Sequence, residues 1–332
     1  KYTTHRTVDH GRVPIWGMTM ATSIWKYKVI MSEQFSEQAK ADFQKARFKA
    51  FMNRAWGTLS GQRTTLLSYD EIKEKLHIGG PIYRGIKTVH VDQIAGSLNR
   101  YHEFDRIFLP ASDALAQRWQ SVNRAFYQEI SLPPVVLYKV GQVYFVVDGH
   151  HRVSVAREQG QLEIEAEVRE CATRVNITAD IKPEDLEILE DKVHFLERTA
   201  LDTLKPGANI KVTITDGFER MLEHIAVHRY FMGIDLKRDI SEQEAIADWY
   251  EHVYLPIINV IRDMNILNEF PGKTEGDLYL WVLDHQHYLA EEEGVPLQAP
   301  EEAARTFLEN KDKKLVRSKK KTKTTQRKSE KK

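Results

Sequence analysis

The segment Val143–Gly160, VYFVVDGHHRVSVAREQG, decides how the chain is interpreted. Its first five residues favour a β-strand, and the residues after Asp148-Gly149 are compatible with a helix that ends at Gly160. The segment therefore predicts a strand, a tight turn and a helix. Glycine lets the backbone approach a ligand closely, and the first amides of a helix are unpaired at the positive end of its dipole. Such a turn is suited to bind an anion.

Polar side chains follow this predicted turn. Arg152 can donate two hydrogen bonds to a phosphate, and His150 and His151 add donors or titratable groups. We expect Asp148 to cap or orient the turn. The residue types alone are equally compatible with a buried turn in which Asp148 caps the helix and Arg152 is solvated.

Length and charge limit the function classes. A chain of 332 residues is long enough for two domains. Its net charge is zero, but Lys311–Lys332 contains 12 Lys and Arg against two acidic residues, so this tail carries +10 and the rest −10. The single cysteine, Cys171, excludes an intramolecular disulfide and a thiolate zinc cluster. No apolar run approaches the ~20 residues of a membrane span, so we expect a cytoplasmic protein without a membrane partner.

Strands and helices alternate between residues 66 and 172. Pro133–Val140 and Val143–Val147 flank Gly141-Gln142, a two-residue hairpin signal. Beyond residue 172 the pattern is mostly helical. Apolar spacing predicts further elements: helices over 33–56, around Leu115–Phe126 and over 150–159, and strands over Lys87–Val91, Leu162–Val168 and Asn209–Thr215.

The predicted fold class is α+β, with a mixed small-sheet domain followed by a mainly α-helical domain. Met31 precedes a plausible helix cap and is the expected natural start. The chain is expected to have five parts: a peripheral or upstream segment over 1–30, an N-terminal helix over 31–65, the mixed domain over 66–172, the helical domain over 173–309 and a basic, disordered tail over 310–332.

The mixed domain resembles the ParB/sulfiredoxin-like fold. The resemblance covers about residues 66–171 and depends mainly on LPPVVLYKVG at 132–141 and YFVVDGHHR at 144–152. In that superfamily the turn and the start of the following helix bind nucleotide phosphates. The Asp-Gly-His-His-Arg turn is most similar to the form found in the free-serine kinase branch.

The resemblance implies specific ligand contacts. Gly149 and the following amides are expected to hold the phosphates of CTP, ATP or ADP, Arg152 to bind them, and His150 and His151 to contact phosphate or metal. Arg100 lies in a segment that corresponds to an arginine-containing nucleotide motif of ParB, so it is a second candidate contact.

Two features of the family are missing. His150 stands at or near the position of the sulfiredoxin cysteine, which argues against sulfinic-acid repair. The helix-turn-helix of ParB is not recognisable after Cys171.

Three functions are compatible with the sequence. The first is a nucleotide-binding, ParB-like regulator of transcription that contacts DNA through the tail and, by analogy, forms a homodimer. The second is a magnesium-dependent small-molecule kinase or nucleotide hydrolase, in which Glu103, Asp105 or Asp148 binds Mg²⁺ or accepts a proton from a hydroxyl. These acids can instead pair with Arg100 and Arg106. The third is an interaction module that binds no nucleotide.

Metal ligands are not predicted. His224 and His228 share one helix face, but no carboxylate completes the motif, so both are expected to be packed or surface residues.

Overall fold

The computed structural model describes residues 16–61, 63–292, 298–299 and 301–307. The fold is α+β and divides into two compact units, residues 1–70 with 80–171 and residues 71–79 with 172–332. The predicted basic tail over 310–332 and residues 1–15 of the predicted peripheral segment lie outside the described residues. No helix among the described residues is long and apolar enough to cross a membrane.

The described part of the first unit contains six β-strands: β1 (Leu67–Ser68), β2 (Pro81–His90), β3 (Ile94–Ser97), β4 (Val135–Val140), β5 (Val143–Asp148) and β6 (Glu163–Cys171). They form one mixed sheet in the order β1-β3-β5-β4-β6-β2. The β4–β5 and β2–β6 pairs are antiparallel, and the other neighbouring pairs are parallel. The sheet therefore places β5, the strand that precedes the predicted turn, between β3 and β4.

The helices in this part of the chain are α1 (Trp16–Ser60), α2 (Tyr69–Lys75), α3 (Ala116–Tyr127) and α4 (His150–Glu158). Phe43 of α1 packs on Trp119 of α3 with ring centroids 5.6 Å apart, and both side chains are buried. The indole of Trp119 donates a 2.9 Å hydrogen bond to Ser154 Oγ of α4. These contacts fix α4, and with it the turn after β5, relative to α1 and α3.

The predicted hairpin, the helix after it and the Leu162–Val168 strand are confirmed as β4–β5, α4 and β6. The helix predicted over 33–56 exists, but α1 begins at Trp16, inside the segment predicted to be peripheral. Residues 16–30 contain no proline and one glycine, at 17, so no residue stops the helix. The aromatic residues of this segment are scattered, so the sequence shows no helical period there.

The second unit is helical: it contains α5 (Pro183–Thr199), α6 (Leu201–Leu204), α7 (Gly217–Leu236), α8 (Glu242–Asp248), a π-helix (Trp249–Tyr254), α9 (Leu255–Asp263) and α10 (Glu275–Glu292). A buried hydrogen bond of 2.9 Å joins the indole of Trp249 to the hydroxyl of Tyr279. His224 Nδ1 lies 3.2 Å from the same hydroxyl, and His228 Nε2 lies 2.7 Å from Asp248 Oδ1. Both histidines are therefore packed against partners of their own unit.

The strand predicted over Asn209–Thr215 is wrong, because this segment has no strand partner. Its polar groups bond instead to the start of α10, which lies against it. Asp277 is fully buried and accepts hydrogen bonds from the amide and hydroxyl of Thr213 at 2.7 and 2.8 Å. Thr274 Oγ1 donates to the carbonyl of Lys211 at 2.6 Å.

Glycine is required at the turn between β5 and α4. Gly149 has φ +99°, and a Cβ at this position would lie 2.6 Å from Val135 Cγ1 and 3.0 Å from the guanidinium of Arg152. Gly160, which follows α4, also has a left-handed φ of +70°, but a Cβ there would meet no atom within 4 Å. A substitution at Gly160 thus meets backbone strain alone, whereas one at Gly149 meets backbone strain and side-chain crowding.

We expect Gly149→Ala to lower the free energy of unfolding by about 3 kcal/mol, because left-handed backbone costs ~1–2 kcal/mol and overpacking ~1–3 kcal/mol. Gly160→Ala should cost about 1 kcal/mol, since only the backbone term applies. Urea unfolding of both variants, followed by circular dichroism, measures the difference. Equal losses would show that crowding by Val135 and Arg152 is unimportant.

Candidate functional site

Residues 148–152, which we call the corner, comprise the last residue of β5, Gly149 and the first three residues of α4. Gly149 precedes the first turn of the helix, and its carbonyl accepts the amide of Val153 at 3.0 Å. No side chain among the described residues caps this helix end. Asp148 is exposed and does not cap the helix; it accepts a 2.6 Å hydrogen bond from Arg152 Nη2, which leaves the orienting role of the two that the sequence predicted. The first amides of α4 are therefore left without a side-chain acceptor.

Arg152 stabilises the corner from the side of β4. Its Nη1 donates to the carbonyls of Pro133 and Pro134, the latter at 2.9 Å. Together with the bond to Asp148, these contacts use both terminal nitrogens, and the side chain is only 15% exposed. Arg152 thus positions the chain on both sides of Gly149, whereas the sequence predicted a phosphate contact.

His150 and His151 lie in the first turn of α4 and are buried, with 4% and 9% of their surface exposed. His150 Nε2 is hydrogen-bonded to Ser97 Oγ, at the end of β3, at 2.8 Å. The Phe104 ring lies beside both imidazoles, with centroid distances of 6.1 and 5.8 Å. Nδ1 of His151 is buried and has no hydrogen-bond partner among the residues that the structure describes. A buried polar atom of this kind calls for an explanation, and a bound ligand atom is one.

Both imidazoles are neutral at pH 7. Burial lowers the pKa of His150 and of His151 to about 4, and the positive charge of Arg100 adds to the effect on each. Arg118 lowers the pKa of His151 further, whereas the nearby Glu103 carboxylate opposes these shifts. Two guanidinium groups, those of Arg100 and Arg118, therefore act on the first turn of α4, and the Glu103 carboxylate offsets part of their effect.

The loop after β3 supplies the charged groups. Arg100 donates to both carboxylate oxygens of Glu103, with Nε at 2.9 Å from Oε1. The guanidinium also lies 5.8 Å from the centre of the Phe104 ring, and the Arg100 amide donates to Ser97 Oγ at 3.2 Å. The hydrogen bonds from Arg100 hold the pKa of Glu103 below its usual value. Both side chains keep more than a third of their surface exposed, so the pair is accessible to a ligand.

Asp105 serves the loop itself. Its Oδ1 accepts the amides of Ile107 and Leu109 at 3.1 and 2.7 Å, and its Oδ2 accepts the side-chain amide of Asn53 at 3.1 Å. Burial raises the pKa of this carboxyl, although these hydrogen bonds oppose the shift. The carboxylate predicted as a base thus orders the turn over residues 105–109.

Of the predicted site residues, Arg100, Glu103, His150 and His151 come together, and Asp148 pairs with Arg152 beside them. Ser97, Phe104 and Arg118 belong to the same surroundings but were missed. Ser97 ends a four-residue strand with little β propensity, and Arg118 is 33 positions from His151 in sequence. No local pattern connects either residue to the corner.

No family model and no curated protein matches the chain. Among solved structures, a Pnob8-like ParB-N domain is similar to 71% of this chain over 84% of its own length. The sequence identity is 11% and the TM-score is 0.19. A TM-score this low shows neither a shared fold nor a shared function.

The buried histidines predict a pH dependence of stability. Their folded pKa values, about 4, lie below the ordinary value of 6.5, so protons bind the unfolded chain preferentially. The stabilisation is complete above about pH 6.5 and is lost as the pH falls towards 4. Between about pH 7 and pH 5, each histidine should remove about 2 kcal/mol from the free energy of unfolding.

Urea unfolding at several pH values tests this dependence. His151→Gln cannot titrate, so the variant should lose about one histidine's share of the decline between pH 7 and pH 5. An unchanged decline in the variant would show that His151 does not carry the effect.

Proposed function

We propose that this protein binds the phosphate groups of a nucleotide at the corner, together with the loop over residues 97–104. The observation that supports this most directly is the unpaired, buried Nδ1 of His151 in the first turn of an uncapped helix. A phosphate oxygen is a suitable partner, because it accepts hydrogen bonds from an imidazole N–H and from helix amides at once.

Electrostatics favour an anion at this position. Arg100 and Arg118 act on His151 from the loop and from α3, and the dipole of α4 adds partial positive charge. Glu103 now occupies the hydrogen-bonding edge of Arg100. A phosphate would compete with this carboxylate for the guanidinium, since both anions accept the same pair of donors.

The corner residues have separate roles in this proposal. Gly149 and the amides of His150 and His151 contact phosphate, His151 Nδ1 donates to it, and Arg100 neutralises its charge. Arg152 is a positioning residue that fastens the corner to the segment before β4 through the carbonyls of Pro133 and Pro134.

The resemblance of the Asp-Gly-His-His-Arg turn to ParB-like nucleotide sites supports a regulatory role. In this role, nucleotide binding controls the protein, and the basic tail over Lys311–Lys332 contacts DNA through its phosphates. Magnesium would be held by the nucleotide phosphates with one or two carboxylates, for which Glu103 and Asp148 are exposed. The described residues contain no group of three or more His, Cys, Asp or Glu arranged to hold a metal alone.

The kinase alternative now depends on Glu103 or Asp148. Asp105 is committed to the turn over 105–109, which leaves Glu103 and Asp148 as the carboxylates that act on the histidines. A kinase or hydrolase of this type consumes nucleotide, whereas a regulator that only binds it does not.

Calorimetric titration of CTP, ATP and ADP with magnesium tests the proposal. Arg100→Ala should lower the affinity for the nucleotide by roughly 10- to 100-fold, because a hydrogen bond to a charged group contributes about 1.5–3 kcal/mol. Glu103→Gln should raise the affinity, since the carboxylate charge that competes for Arg100 is removed. Arg84→Ala is the matched control, because Arg84 is also an ion-paired arginine of this unit, 2.9 Å from Glu170.

Three outcomes would contradict parts of the proposal. The absence of binding by all three nucleotides would remove the site. Equal affinity in Arg100→Ala and in wild type would remove its cationic contact. Release of inorganic phosphate, or its transfer to an added hydroxyl acceptor, would favour the enzyme.

A further inference from the structure

Helix α1 has a second apolar face that its own unit does not cover. Its first face, with Phe43, Ala46 and Ala50, is buried in the core of the first unit. Two large side chains, Phe48 and Trp56, point the other way and are 66% and 70% exposed. The remaining members of this outer stripe are Phe51 at 62%, Met52 at 50% and Leu59 at 84% exposure.

The spacing shows that the outer stripe is one continuous surface. Positions 48, 51, 52, 56 and 59 follow the three- and four-residue steps of a helix face, and exposed Ala55 lies between them. Single exposed hydrophobic residues are ordinary, but a contiguous apolar patch of this size marks a contact surface. The stripe is about 18 Å long, from 12 residues at ~1.5 Å each.

Charged residues beside the outer stripe form ion pairs within their own unit. Lys45 and Lys49 lie 3.5 and 2.9 Å from the buried Glu158 carboxylate. Arg47 on the other side lies 3.0 Å from Asp113. An acidic partner would have to break these pairs, and the stripe itself contains no charged residue. The surface is therefore suited to another uncharged apolar surface.

The area of the outer stripe is about three quarters of what a dimer contact needs. With aromatic side chains of ~150–250 Å² each, its five large residues expose roughly 600 Å². A standard specific interface buries ~800 Å² per partner. Residues beside the outer stripe therefore need to supply only about a quarter of that area.

We propose that the outer stripe is the contact between two copies of this chain, packed α1 against α1 about a twofold axis. An uncharged stripe pairs with its own copy without opposing like charges, and the same residues are buried on both sides. This inference does not depend on nucleotide binding at the corner.

Sedimentation velocity of the full chain over a concentration series tests the proposal. We expect a species of twice 38.6 kDa that dissociates on dilution. The double variant Phe51→Glu, Trp56→Glu should stay at 38.6 kDa with an unchanged circular dichroism spectrum, since both positions are exposed. Leu162→Glu is the matched control, because Leu162 is 74% exposed in the same unit but lies outside the outer stripe, and it should dimerise like the wild type.

Cross-linking gives a second readout that does not depend on destabilising the contact. Cys171 is buried, so Ala55→Cys adds an accessible thiol at the centre of the outer stripe. Mild oxidation should link this variant into a dimer, whereas Leu162→Cys, which is exposed outside the outer stripe, should remain uncross-linked. A wild-type chain that is monomeric at every concentration, or that sediments with phosphatidylcholine vesicles instead, would overturn the proposal. Dissociation caused by Leu162→Glu alone would do the same.

Discussion

The fold of the first unit depends on one backbone constraint, the left-handed conformation of Gly149. This residue alone separates the central strand β5 from α4, and the absence of a Cβ lets Val135 and the Arg152 guanidinium lie against its backbone. Arg152 then bonds the chain that leads into β4. The direction of α4, the burial of both histidines and the contact with Ser97 all follow from that turn.

The charges around the corner are balanced by pairs within the chain. Arg100 is neutralised by Glu103 and Arg152 by Asp148, and the histidines are uncharged because burial lowers their pKa. A partly exposed ion pair in water is weak, so the Arg100–Glu103 pair can be exchanged at small cost. The Arg152 contacts are more buried and include backbone carbonyls, so they belong to the framework of the unit.

Sequence patterns predicted the elements whose signals are local. Alternating apolar residues and a Gly141 turn identified β4, β5 and β6, and helical spacing identified α3 and α4. The patterns failed where long-range packing decides. Ile94–Ser97 pairs as β3 despite weak propensity, and Lys211–Thr213 bonds to α10 although its alternation resembles a strand. At the corner, residue types singled out the histidines and Arg100, which the fold brings near one another, but only the fold shows the partners of Arg152 and Asp105.

The topology of the sheet has a consequence for how the chain reaches its folded state. β2 lies at one edge, and its neighbour in the sheet is β6, about 80 residues later. During synthesis β2 must therefore wait, unpaired, until residues 163–171 have left the ribosome. Ile82, Tyr83 and Ile86 stay exposed in the folded chain as well, so pairing with β6 closes one open edge of the strand and leaves these side chains accessible. Fast translation through the intervening segment would shorten the time for which both edges of β2 are open, and a chaperone bound to β2 would cover the side chains during that time.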